Sequence, residues 1–133
     1  MDTSALLAIL LLSATAIGLY YRKTTGLIKR KKRLQLLPSE FGGAYGARVT
    51  IVQFSTTFCS SCRAAKALIS DVVKGQEDIA YYEVDAESNL DLVRKVDVRS
   101  TPTTLFLDNS GFEIARATGA PKRAQLIKVV ASL

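Results

Sequence analysis

Hydrophobic positions run unbroken at the start of the chain and are patterned after it. From Thr3 to Tyr21, TSALLAILLLSATAIGLYY is nineteen residues without a charge. As a helix it measures roughly 28 Å at about 1.5 Å per residue, close to the hydrocarbon core of a bilayer. Tyr20 and Tyr21 fall where an interfacial aromatic belt belongs. A cleaved signal peptide carries positive charge before its apolar core, whereas here only Asp2 and the amino terminus precede it. Leu19-Tyr20-Tyr21 is also a poor small-residue cleavage site. The pattern predicts a single membrane helix.

Residues 34–47, LQLLPSEFGGAYGA, read as a joint, because Pro38 and the glycines at 42, 43 and 46 break regular helix. From Val49 strand and helix signals alternate. Val49–Phe54 is β-branched and apolar on both faces, as in a central buried strand. Residues 59–74 place Cys62, Ala65, Ile69 and Val72 on one helical face and end at Gly75. Ile79–Val84 is a second strand. Ser88 and Asp91 have capping-box spacing before a short helix with Leu90, Val93 and Val96 inward. Thr103–Leu107 is a third strand, turned at Gly111. Phe112–Ala117 returns as a fourth, with Glu113 and Arg116 suiting an exposed edge. Pro121 opens a last helix with Leu126, Ile127, Val130 and Leu133 inward. The order β-α-β-α-β-β-α predicts an α/β fold, a mixed sheet flanked by helices and preceded by one transmembrane helix. The boundaries expected are an anchor over 1–21, a basic juxtamembrane segment and linker over 22–47, and a domain over 48–133.

At 133 residues the chain suits one small domain plus an appendage. The net charge of +6 is localised: residues 22–33 hold Arg22, Lys23, Lys29, Arg30, Lys31, Lys32 and Arg33. The remaining eleven basic residues lie in 34–133 beside eleven acids, so that body is neutral. Having no interleaved aromatics and lying against the membrane, the run reads as a headgroup contact rather than a nucleic-acid patch. Positive charge after the span and none before it places the body on the cytoplasmic side.

Histidine is absent, which excludes Cys-His and Ser-His catalysis and histidine metal sites. Two cysteines make neither a four-thiolate zinc site nor a disulfide framework. They stand as Cys59-Ser60-Ser61-Cys62 at the junction of the first strand and its helix. Three residues apart on a helical turn, the thiols share a face and can bridge. Cys59 meets the helix N-terminus, where unpaired N–H groups and the dipole favour a thiolate, with Arg63 and Lys66 nearby. That thiolate can attack a disulfide and Cys62 can resolve the mixed disulfide. Two readings compete: a buried structural pair, which would not need this spacing, and a two-thiolate site for Cu(I) or half of a shared zinc.

VTIVQFSTTFCSSCRAAKALI, followed by YYEVDAESNLDLVRKVDVRSTPTTLFLDNSGFEIARATGAPKRAQLIKVV, resembles a thioredoxin-family domain over about residues 40–133. The dithiol follows the first strand, Val84-Asp85 precedes the second helix, and Val98-Arg99-Ser100-Thr101-Pro102-Thr103 occupies the family's cis-proline loop. The resemblance implies a thiol-disulfide oxidoreductase that needs no cofactor and no metal. Its catalytic residues are Cys59 and Cys62, and its substrate-binding surface is Phe58, Thr101 and Pro102, the backbone of Thr101 pairing with the substrate chain. The partners implied are disulfide-containing proteins and an unidentified electron donor, with the membrane held through residues 3–21.

Five positions depart from the family. Phe58 replaces the usual tryptophan, and Ser60-Ser61 replaces Gly-Pro. Gln53 replaces the buried acid below the second cysteine, and Tyr81 replaces that acid's lysine partner. Gln53 is expected to point into the core. An amide does not accept a proton at neutral pH, so loss of the Cys62 proton falls to water or a substrate group. In the cytoplasm the dithiol is expected to act as a reductant. The alternatives are an envelope-facing reductase, if the topology is reversed, and a redox-sensing or scaffolding module with little turnover.

Overall fold

The computed structural model describes residues 2–24, 26–30 and 34–133. Lys31, Lys32 and Arg33 of the basic run lie outside them. In chain order the elements are α1 (Thr3–Thr24), β1 (Ile28–Arg30), α2 (Pro38–Phe41), β2 (Val49–Ser55), α3 (Ser60–Val73), β3 (Ile79–Asp85), α4 (Leu90–Lys95), β4 (Thr103–Leu107), β5 (Glu113–Thr118) and α5 (Arg123–Ser132). The sheet order is β1-β5-β4-β2-β3. Among the described residues β2 and β3 run parallel, and the other strand pairs are antiparallel.

β2 lies inside this sheet and all seven of its residues are buried, as its two apolar faces predict. On one face Val49 and Ile51 pack with Ile69 of α3 and Leu126 and Val130 of α5. On the other Val52 and Phe54 pack with Phe41 of α2, Leu92 of α4 and Val96 just after it. Each large apolar side chain so buried stabilises the fold by roughly 1.5–3 kcal/mol. α1 is long and apolar enough to cross a membrane, and none of its residues is buried.

Several local expectations are corrected. The fourth strand is not an edge, because β1 pairs along its outer side, Ile28 opposite Ala117. Glu113 and Arg116 are accordingly an internal ion pair, with Arg116 Nε and one Oε of Glu113 2.7 Å apart. A register shift at Phe106/Leu107 opens the strand there. The Arg116 guanidinium also donates to the Val96 and Asp97 carbonyls, closing the C-terminal end of α4.

The 34–47 joint carries core residues: Leu36 and Phe41 are buried. It also holds one turn of helix, which Pro38 opens rather than prevents. At α4 the cap position is Asn89, and the Ser88 hydroxyl donates to Asp85 instead. Leu92 faces inward there, while Leu90 is exposed. α5 begins two residues after Pro121, and Ile127 points outward.

Candidate active site

The strand-to-helix junction sets the site. β2 ends at Ser55, and Cys59 takes the N-cap of α3 in an extended conformation. Its Sγ accepts a hydrogen bond from the Cys62 backbone N–H at 3.1 Å, replacing the oxygen usual at such a cap. Cys59 and Cys62 are joined as a disulfide, their Cα atoms 5.2 Å apart. Cys59 is partly exposed, whereas Cys62 turns inward and keeps only 2% of its surface. Once the pair is reduced, the same N–H groups and dipole stabilise a Cys59 thiolate.

The loop before β4 supplies the opposing wall. The Thr101–Pro102 peptide is cis. The Thr101 hydroxyl donates to Cys59 Sγ at 3.8 Å and lies 3.3 Å from the Thr56 hydroxyl. Phe58, beside Cys59, is 97% exposed. Ser61 Oγ approaches Cys59 Sγ at 3.5 Å. Phe58 thus adjoins Cys59 in the chain, Thr101 touches it across the cleft, and Pro102 follows Thr101 in the cis peptide. Ser61 was read from sequence only as part of the dipeptide that replaces Gly-Pro, and Thr56 was not singled out; its closeness in sequence to the dithiol was the available signal.

A polar layer lies beneath. Gln53 is fully buried, as expected, and faces α3. Its amide donates to the Cys62 carbonyl at 2.9 Å and to Ser55 Oγ at 3.1 Å, and its oxygen accepts from the Tyr81 hydroxyl at 2.6 Å. Ser55 in turn donates to Glu83 at 3.3 Å, and Glu83 pairs with Lys66 at 3.4 Å. Burial first, and the negative Glu83 second, hold the Tyr81 hydroxyl protonated well past the ordinary tyrosine range. It therefore remains a donor to Gln53. Gln53 fastens the first turn of α3 through a neutral amide. Ser55 and Glu83 were missed from sequence, because only the β2–β3 register aligns them.

A disulfide across the first turn of a helix, on a mixed sheet and against a cis-proline loop, is the site of a thiol-disulfide oxidoreductase. A thioredoxin family model matches residues 38–132, and the chain belongs to the thioredoxin family. Thioredoxin-2 of Saccharomyces cerevisiae is 31% identical over 77 residues, 58% of this chain and 73% of that protein. Thioredoxin H5 of Oryza sativa is 33% identical over 63 residues, 47% of each chain. Among solved structures, a thioredoxin from Nicotiana alata aligns with a TM-score of 0.58 at 26% identity, covering 65% of this chain and 73% of its own. A malaria parasite thioredoxin-2 gives 0.60 at 24%, covering 76% and 100%, a likeness of fold. The protein is a thioredoxin-family thiol-disulfide oxidoreductase with a C-x-x-C pair. Both α1 and β1 precede the residues that the family model matches.

Proposed function

We propose that this protein is a membrane-anchored protein-disulfide reductase whose domain faces the cytoplasm. Residues 1–21 are the anchor, residues 22–47 carry the basic juxtamembrane run, and the redox domain follows. The contrast between the partly exposed Cys59 at a helix N-terminus and the enclosed Cys62 carries the division of roles. The Cys59 thiolate attacks one sulfur of a client disulfide and releases the other as a thiolate. Cys62, after losing its proton, attacks Cys59 Sγ and releases the second client thiol. Two electrons have then passed to the client, and the Cys59–Cys62 disulfide remains for a thiol donor to reduce. Phe58, Thr101 and Pro102 form the surface that receives the client chain. Cytoplasmic placement is supported by the seven basic residues that follow the span.

Trapping in cells tests the chemistry. Cys62→Ala is expected to accumulate mixed disulfides on a non-reducing gel, and Cys59→Ala none. Equal adducts from both variants overturn the roles. A reporter fused to the C-terminus reads the compartment directly, and an envelope signal would reverse the proposed orientation.

A further inference from the structure

The exit of the anchor helix is stitched to the active-site loop. Thr24 ends α1 and Ile28 begins β1, so the two are separated by at most about 14 Å of extended chain. Within that interval the Gly26 N–H donates to the Thr118 carbonyl at 2.8 Å. One residue on, the Gly119 N–H donates to the Pro102 carbonyl at 2.8 Å. Pro102 is bonded to Thr101, whose hydroxyl reaches Cys59. Gly26 has φ +80°, and a Cβ there would strike the Ala120 carbonyl. The chain can therefore pass this closely only as glycine. β1 then locks into the sheet against β5. Together these contacts hold the chain against the domain from Gly26 onward.

A cleft of about 960 Å³ results. One wall holds Tyr20 and Tyr21 of α1, and the other holds Ser61, Thr101 and Pro102 beside the dithiol. If Tyr20 and Tyr21 lie at the headgroup level, the dithiol faces the bilayer surface, with the exposed Phe58 beside it.

We propose that the substrates are disulfides in the juxtamembrane segments of integral membrane proteins, reached at the bilayer surface. The proposal rests on the anchored-reductase reading above. A client segment emerging from the membrane runs along the anchor's last turn and enters the cleft with its disulfide at Cys59. The exchange is the one already written, two electrons passing from the dithiol to the client.

The test uses the full, reduced chain in vesicles of phosphatidylcholine and phosphatidylglycerol. Two transmembrane peptides carry the same disulfide loop. In one it lies within about three residues of the span. In the other it is raised by a helical spacer of about twenty residues, roughly 30 Å. Soluble insulin is the third substrate. The near loop is expected to be reduced at least about tenfold faster than the raised one. A flexible spacer of about thirty Gly/Ser residues after Thr24 adds a reach of roughly 30 Å. It should bring the two rates within about twofold and leave insulin reduction unchanged. Equal near and raised rates in the native chain, or a preference that survives the spacer, overturn the proposal. Reduction of none of the three substrates, or failure of the chain to enter vesicles, overturns the anchored-reductase reading beneath it.

Discussion

At the scale of single residues, Gln53 lies at the base of the site, and the structure shows what its amide does. It satisfies the Cys62 carbonyl, Ser55 and Tyr81 together, all in the layer under the dithiol. Gln53→Leu strips those partners while leaving them enclosed. It is expected to lower stability by about 1–3 kcal/mol, read as a shift of the urea midpoint at constant slope. Tyr81→Phe removes one donor and is expected to cost about 1 kcal/mol by the same measurement. Gln53→Asp has a signature of its own. A carboxylate there is buried and faces the Cys62 carbonyl, so its pKa in the fold is raised above the unfolded value. The charged form is penalised in the fold, so the variant loses stability at neutral pH. That loss shrinks as pH falls through the raised value. Urea midpoints of the variant and the native chain should converge between about pH 7 and pH 4, and a gap independent of pH would show that the new carboxylate is not buried.

At the scale of elements, two contacts hold the sheet's ends. β1 is three residues long and covers the outer edge of β5. A fragment beginning at residue 34 lacks it and exposes that edge, whereas one beginning at residue 26 keeps it. The longer fragment is expected to have the higher urea midpoint and the lower tendency to aggregate, since an open strand edge templates pairing with other chains. Light scattering at equal concentration checks the second part. At the opposite end Arg48 joins three segments, bonding Asp78 at 2.6 Å, Gln76 at 3.2 Å and the Val130 carbonyl at 2.5 Å. The Arg48 hydrogen bond holds the Asp78 carboxyl below its ordinary value of 3.8. A depressed folded value gives stability that is present above the ordinary value and lost as pH falls below it. Arg48→Met is therefore expected to destabilise at pH 7, and its gap from the native chain should narrow between about pH 5 and pH 3.

At the scale of the whole molecule, α1 is an exposed apolar helix, long enough to cross a membrane, that precedes a domain with its own core. The full chain is expected to float with liposomes and resist alkaline extraction, and the fragment from residue 26 to remain soluble. Extraction of the full chain by alkali would speak against a spanning helix. Much of this was legible before any coordinates. A nineteen-residue uncharged run states its length and polarity locally, and β2 announces its burial through apolar residues on both faces. The C-x-x-C pair declares itself because chemistry and spacing coincide at a strand-to-helix turn. Periodicity of a single strand does not say which neighbour it will find. Glu113 and Arg116 therefore read as an exposed edge until β1 came from more than eighty residues away to cover them. Leu36 looked like part of a joint for the same reason. The bonds of Gln53 to Tyr81, and of Ser55 to Glu83, depend on the register between β2 and β3. The sequence by itself determined β2 to β5, the helices that follow them, the uncharged helix α1 and the dithiol, because each is encoded in neighbouring residues. Only the tertiary structure decided what supports Cys62 and how closely the chain after α1 approaches the Pro102 loop, because those contacts join residues that share no local pattern.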